Sequence, residues 1–463
     1  MTAQAKLREG TPVIAEVFAD WAAQLKASDV PMPLKALFET LVIDMTGLCV
    51  AARKRDYIAA IIATCDSTGA CTAIGHSRRF DCYEAALING TAMHGEDFDD
   101  TFEGTPVHVG AVLIPALLAL GEARKVAGPD LLRGLAAGAE LTCRLALVAP
   151  TAIHRAGFHP TAVVGALGAA AAVGTALRLD PPRLAAALGI AGSFASGIIE
   201  YLAEGTWPKR AHAGWAAQSG LRAARLAEGG FTGPRTVFEG EHGFFKGFTD
   251  AAIPRRYEEL TDRLGSHWHG LSLAFKPYAC GTMCQPFIDC ALRLRRQGVT
   301  DDKIASIRCT VGEGTVHRLW EPRAEKIAPS SAFSAKFSVP YGIAIAFLDG
   351  AAGLNQFEGG RFTDPALRAL AAKITYEVDP NDEYPRNYSG YLEVTLADGS
   401  VLEARQPHLR GGRREPLDRA EILEKLAGNL SYGGWPAAMT DEVAAFGVGL
   451  FAVAATDLSR FGK

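Results

Sequence analysis

The run Thr161-Ala-Val-Val-Gly165-Ala-Leu-Gly168-Ala-Ala-Ala-Ala-Val-Gly-Thr-Ala-Leu177 decides what kind of chain this is. It is apolar along its whole length, so it reads either as a membrane span or as a helix buried on every side. Its richness in Ala and Gly fits a tightly packed, buried helix in a large bundle. A second apolar run, Leu184–Ala203, carries Glu200 and reads the same way. No membrane partner is expected.

Working outward, helical signals surround this run. His159-Pro160-Thr161 opens it, and Asp180-Pro181-Pro182 opens the next helix, with Asp as N-cap and Pro in the first turn. Upstream, residues 13–27, 32–52, 82–94, 109–126 and about 130–148 read as helices. In the second, Leu34, Leu37, Leu41, Met45 and Leu48 recur at the helical period. Residues 65–81 are polar and irregular. Downstream, 210–227 and 249–263 read as helices. Gly134, Gly138, Gly165 and Gly168 permit close helix contacts.

Near residue 267 the texture changes. Lys303–Val311, Thr375–Val378 and Gly390–Leu396 read as strands, and Asp398-Gly399 marks a β-hairpin. A helix near Tyr341–Ala351 lies among them. Helical signals return at Asp418–Leu426 and Thr440–Leu458. The expected fold is mainly α with an α+β insertion. A large all-helical domain is formed by both chain ends (1–268 and 405–463), with a smaller α/β domain between them (269–404).

The 463 residues carry a net charge of −4 and no basic run, so a nucleic-acid partner is not expected. Nine scattered cysteines, an odd number, argue against a full set of disulfides. The N-terminal MTAQAKLREGTPV has no apolar leader core. A cytoplasmic location with reduced thiols is expected.

Chemistry concentrates in Asn89-Gly-Thr-Ala-Met-His94-Gly-Glu96-Asp97-Phe98-Asp99-Asp100-Thr101-Phe102-Glu103-Gly104-Thr105-Pro106-Val107-His108-Val109-Gly110. Carboxylates are rarely buried unless paired, so this stretch is either a solvated corner or a site. Asp99-Asp100-x-x-Glu103 resembles a Mg²⁺-diphosphate motif of the terpenoid-synthase kind. The second metal motif of such enzymes is absent, since Pro385 stands where Asn381-Asp382 would need a hydroxyl. Alternatively His94 and His108 titrate near neutrality, with the aspartates orienting them. Cationic and acid/base groups elsewhere favour the second reading: His159 beside a helix start, Lys209, Arg210 and His212 at another, and Lys276 near the domain junction. Cys280-x3-Cys284-x5-Cys290 has poor spacing for a metal cluster. No phosphate loop or dinucleotide fingerprint is found. Neither metal nor cofactor is expected.

Asn89-Gly-x3-His94-x2-Asp97-Phe98-Asp99-Asp100-Thr101, followed by His108-x-Gly-x3-Ile-Pro115-Ala, resembles the signature of the MmgE/PrpD family. The likeness continues through Phe158-His159-Pro160-Thr161, Pro208-Lys209, Lys276-Pro-Tyr278-x-Cys280, Ser338-x2-Tyr341 and Leu409-Arg-Gly-Gly. The resemblance implies a helical domain with an α/β lid, usually a homodimer, here through the helical domain. It implies cofactor-free dehydration, decarboxylation or epimerisation of a small polycarboxylate. By the same resemblance Asp97, His108, His159, Lys209 and Tyr341 are the catalytic candidates. Thr101 and Lys276, with Lys209 again, are the candidates for binding substrate carboxylates. His108 and His159 form the expected acid/base pair, Asp97 orients a histidine, and Tyr341 reaches in from the smaller domain. Glu96 and Glu103 are expected to face solvent, and Asp99 and Asp100 to hold the turn. The chain departs from the family in two places. The loop reads Val-His-Val, one residue longer than usual, and Gln285 stands where many members have a histidine. A catalytically inactive, polycarboxylate-binding member is the alternative.

Overall fold

The computed structural model describes residues 13–384 and 386–463. Pro385 and residues 1–12, which carry most of the stretch read for a leader, lie outside the described residues. The helices used below are α1 (Ile14–Gln24), α2 (Met32–Ala52), α3 (Cys82–His94), α4 (Gly110–Arg124), α5 (Gly128–Val148), α6 (Pro160–Ala176), α7 (Pro181–Phe194), α8 (Pro208–Glu228), α9 (Gln285–Arg296), α10 (Val339–Asp349), α11 (Arg419–Tyr432) and α12 (Met439–Gly449).

Helix α6 is the hub. Every residue from Thr161 to Ala176 is buried, and α5, α7 and α8 pack around it. The small residues make this possible. A methyl group added at Gly138 would stand 2.7 Å from Ala172 Cβ and 2.9 Å from Gly168 O, and one at Gly134 would stand 2.5 Å from Ala172 O. Contacts that tight leave no room for a side chain, and overpacking of this kind costs about 1–3 kcal/mol. No described helix is long and apolar enough to cross a membrane. Helix α8 packs on α3 as well as α6, and α3 packs on α4. The C-terminal α11 and α12 both pack on α2.

The α/β portion is built on a four-stranded sheet. Its strands are β5 (Ile304–Val311), β6 (Ile374–Val378), β7 (Gly390–Leu396) and β8 (Val401–Gln406), in the order β6-β5-β7-β8. Here β1 is Cys71–Thr72, β2 Arg79–Phe80, β3 Thr101–Phe102 and β4 Leu273–Ala274. The β5–β6 pair is parallel, while β5–β7 and β7–β8 are antiparallel. Gly399, at φ 87°, turns the β7–β8 hairpin. Helix α9 packs on β7, β8 and α10.

Three sequence expectations differ locally. Residues 249–263 form no α-helix but turns and a short 3-10 helix, Tyr257–Leu260. Pro254 lacks the N–H that a helix interior needs. The apolar run 184–203 leaves the helix after Phe194, and Gly197 there adopts φ 126°, a value open to glycine. The last helix stops at Gly449 and passes into a 3-10 turn, Leu450–Ala452.

Candidate active site

The acidic loop lies between α3 and α4 and is buried against several distant parts of the chain. Strand β3 within it pairs antiparallel with β4, so that Thr101 faces Ala274 and Phe102 faces Leu273. This short pairing brings Lys276 to the loop. Helix α8 brings Lys209 in its first turn, and the N-cap of α6 brings His159.

Asp97 is the turning point. Its φ of 54° lies in the left-handed region. Asp tolerates that region better than most residues, yet at a cost of order 1 kcal/mol, and such conformations persist where the surroundings over-determine them. The Lys209 ammonium pairs with Asp97 Oδ1. Lys276 Nζ donates to Asp97 O at 3.0 Å and lies 3.6 Å from Asp99 Oδ1. Burial works to raise the Asp97 pKa, but Lys209, Lys276 and His94 outweigh it and hold the carboxyl well below its usual range. Burial lowers the Lys209 pKa, and Asp97 opposes that shift.

Asp99 faces imidazoles. His94 Nδ1 stands 2.7 Å and His108 Nδ1 3.4 Å from Asp99 Oδ2. Burial raises its pKa, and His108, His94 and Lys276 more than reverse the shift. His108 Nδ1 also stands 2.6 Å from Asp100 O. A carbonyl oxygen only accepts, so this Nδ1 carries the proton and Nε2 of the neutral ring is the free base. Burial lowers the His108 pKa to about 3 despite Asp99. His159 lies 5.6 Å from His94, ring centroid to ring centroid, nearly parallel. Its Nδ1 is 3.1 Å from His212 Nδ1, so one of the two rings must donate there. Burial, then the neighbouring His94 and Lys209, push the His159 pKa well below its ordinary value. The buried Thr101 Oγ1, His94 Nε2 and Asp99 Oδ1 have no hydrogen-bond partner among the described residues.

The structure therefore brings Asp97, Thr101, His108, His159, Lys209 and Lys276 into one neighbourhood. It does not bring Tyr341 there. The Tyr341 hydroxyl donates to Gln356 O at 2.5 Å, its ring packs on Phe357, and no described hydrogen bond links it to the histidines. Gln285 is fully buried and donates weakly to Tyr278 O and Cys280 O at 3.5 and 3.4 Å, a brace for the backbone rather than a proton carrier.

Other expectations need correction. Glu96 does not face solvent. It is fully buried, with Lys336, Arg55 and Arg210 around its carboxylate. Burial raises its pKa, and these cations reverse the shift to about 2. Asp100 does hold the turn, accepting Val109 N–H at 3.1 Å and Gly110 N–H at 2.8 Å. Asp99 belongs instead to the histidine cluster. His212 was the other residue to gain a place, and the sequence signal was its position one turn after Lys209 on α8.

Neither the Asp-Asp-x-x-Glu set nor the cysteine set suits a metal. Asp100 caps a helix, and burial beside Asp99 pushes its pKa up to about 7. Glu103 turns away to accept Arg413 N–H. Asp99 and its neighbours thus form no diphosphate–Mg²⁺ site. His94, Asp99 and His108 converge closely. There the Lys276 ammonium, 3.6 Å from Asp99, already supplies positive charge beside the carboxylate. Cys284 and Cys290 turn to backbone carbonyls, Lys336 O and Gly390 O. Burial pushes the Cys290 thiol up to about 12, so it stays protonated rather than a thiolate ligand.

What remains is a water-poor cluster with fixed anions, two ammonium groups and four imidazoles. Such a set can bind carboxylates and move protons. A cleft of about 800 Å³, lined by Tyr278, Arg295 and Arg410 among others, ends on Phe98 and Lys425 at the back of the loop. The histidines do not line it.

Comparisons with known proteins find family models and relatives that match most of the chain. A model of the MmgE/PrpD N-terminal domain matches residues 16–256, and one of the C-terminal domain matches residues 278–444. Similar proteins include a cis-aconitate decarboxylase of Aspergillus terreus, 27% identical with 93% of this chain and 92% of the relative covered. That of Homo sapiens is 32% identical with 75% and 72% covered. A cis-aconitate decarboxylase-like protein of Aspergillus oryzae is 29% identical with 92% of each chain covered.

Proposed function

Because this chain belongs to the MmgE/PrpD family, we propose that it is a cofactor-independent lyase acting on a cis-aconitate-like di- or tricarboxylate. The observation that carries the reading is the buried cluster itself: Lys209 and Lys276 beside His94, His108, His159 and His212, balanced by Asp97 and Asp99.

Decarboxylation is the reaction the cluster suits best. Loss of carbon dioxide breaks one carbon–carbon bond and leaves its electron pair conjugated onto a neighbouring carboxylate. One proton delivered to carbon completes the product. Lys209 has three N–H groups and spends one on Asp97, so the others can grip a substrate carboxylate. Lys276 stands close by, and the two ammonium groups stabilise the charge as it spreads. Thr101 Oγ1, unpartnered among the described residues, is the hydroxyl that would bond a carboxylate. His159 is the proton carrier of this proposal, oriented by His212, and His108 Nε2 is the second acid/base group. Dehydration would use the same groups with a hydroxyl as the leaving group. Tyr341 has no role in this scheme, since its hydroxyl is engaged by Gln356 O.

The proposal includes the division of labour between two domains, a helical one (1–268 and 405–463) and an α/β lid (269–404). Its support is the sheet confined to 304–406 and the packing of α11 and α12 on α2. Lys276 crosses between the two. A site this buried needs such a lid to open for substrate and close to exclude water.

Charge balance gives a measurable consequence. With Asp97 and Asp99 ionised, Lys209 and Lys276 charged and His108, His159 and His212 neutral, these charges balance. A di- or trianion adds negative potential, which favours the imidazolium form and raises the depressed histidine pKa values. Binding at pH 7.5 is therefore accompanied by proton uptake, of up to about one proton. Calorimetric titration with a saturated, unreactive tricarboxylate in two buffers of different ionisation enthalpy measures that number. Zero uptake would remove the histidines from contact with the ligand's charge.

The function is tested by product analysis of chelator-treated protein on aconitate-like, citrate-like and imino-dicarboxylate substrates. Turnover of one class is expected. Binding without turnover would favour an inactive, polycarboxylate-binding member.

A further inference from the structure

Four successive backbone carbonyls of the acidic loop are each held by a buried cation. Arg210 donates to Gly95 O. Lys336 donates to Glu96 O at 3.0 Å, Lys276 to Asp97 O at 3.0 Å, and Lys425 to Phe98 O at 2.8 Å. These cations come from α8, the segment before α10, the segment after β4, and α11. Lys276 is accounted for by the chemistry proposed above, and the Arg210 guanidinium also lies over the Tyr57 ring, 4.6 Å from its centroid. Lys425 is tied to Asp44 at 2.8 Å. Lys336 differs from the other three in holding both the carbonyl and the carboxylate of a single loop residue.

Lys336 is 1% exposed, donates to Glu96 O and to Glu96 Oε2 at 2.7 Å, and lies 3.2 Å from Glu358 Oε1 as an ion pair without a hydrogen bond. It thus grips both the backbone and the side chain of the residue before Asp97. The far oxygen of Glu96 is held at 2.9 Å by the Tyr57 hydroxyl and at 3.0 Å by Arg55. A buried ion pair is a poor route to stability, since well-packed apolar residues do as well or better. What it supplies here is geometry. Asp97 sits in a conformation that must be imposed, and the peptide that imposes it is the one Lys336 anchors.

We infer that Lys336 is a positioning residue: acting through Glu96, it holds the 95–98 loop in the form that presents Asp97 to Lys209 and the histidines. The catalytic part of this inference rests on the proposed lyase reading, and the structural part does not. Because Lys336 comes from the α/β portion, order in the loop depends on that portion being docked.

The test is Lys336→Met, which keeps much of the side-chain volume and removes the charge. Glu96 retains Arg55, Arg210 and Tyr57, and Glu358 retains Arg55, so the variant has the partners it needs to fold. On whichever acid the wild type turns over, kcat falls about 100-fold, the scale of a small misplacement at a reacting centre. KM changes little, because Lys209 and Lys276 remain. Amide hydrogen exchange in residues 94–103 rises, while α6 and α8 keep their protection. Glu96→Gln reads the same contact from the other side. It shows a smaller loss of the same kind, less than additive with Lys336→Met, and it decides the question if Lys336→Met does not fold. Unchanged kcat and unchanged exchange in 94–103 would overturn the proposal, as would exchange that rises evenly across the chain. Should the wild type turn over no acid at all, the lyase reading fails, and the exchange measurement still decides whether Lys336 holds the loop.

Discussion

Replacing His159 by glutamine lowers kcat about 10²–10⁴-fold, the range expected when a positioned proton carrier is lost. The substitution is mild for the fold. The His159 side chain makes no capping bond to α6, and the backbone N–H that donates to Gly197 O at 2.8 Å is retained. Glutamine can still hydrogen-bond His212, but it cannot carry a proton to carbon. Because the lost contact matters only as charge develops, kcat and kcat/KM fall together while KM stays within a few-fold. Steady-state kinetics of the purified variant, with its thermal midpoint as a control, measures this. A variant that kept wild-type kcat would remove His159 from the reaction and leave His108 as the proton carrier.

Asp97→Asn is the second large effect. Asparagine accepts the left-handed conformation as readily as aspartate, so the loop keeps its turn. The negative charge is lost, and Lys209 then lies buried without its counterion. Its pKa, already lowered by burial and opposed by Asp97, falls further. The lysine must stay protonated to hold a carboxylate, so the alkaline limb of kcat/KM moves to lower pH. At pH 7.5 kcat/KM drops about 10²–10³-fold, comparable to losing a preorganised electrostatic contact. The pH profile separates this cause from misfolding, which lowers the amount of active enzyme without moving the limb. An unmoved limb would show that Asp97 does not govern Lys209.

The sequence made the bundle readable because its signals are local. Pro160, Asp180 and Pro181 mark helix starts, and the Ala/Gly pattern of 161–177 marks the packed centre. The strands 304–311 and 390–396 and the turn at Gly399 were equally plain, since alternation and turn chemistry leave a short-range trace. The candidate site was legible where it coincided with motif positions: Asp97, Thr101, His108, His159, Lys209 and Lys276. It was illegible where long-range pairing decides the role. Glu96 and Asp97 are adjacent carboxylates, and nothing local says that Lys336, 240 positions away, buries the first. Asp99 and Asp100 are likewise adjacent, yet one meets two imidazoles and the other caps α4. Tyr341 fits the motif, but a backbone carbonyl fifteen positions along claims its hydroxyl.

The most direct test of the central claim is product analysis of the chelator-treated protein with cis-aconitate in D₂O. The account predicts carbon dioxide release and a decarboxylated product with one solvent-derived deuterium on carbon, at a rate chelation leaves unchanged. No carbon dioxide from cis-aconitate, with no product from the citrate-like or imino-dicarboxylate substrates either, would contradict it.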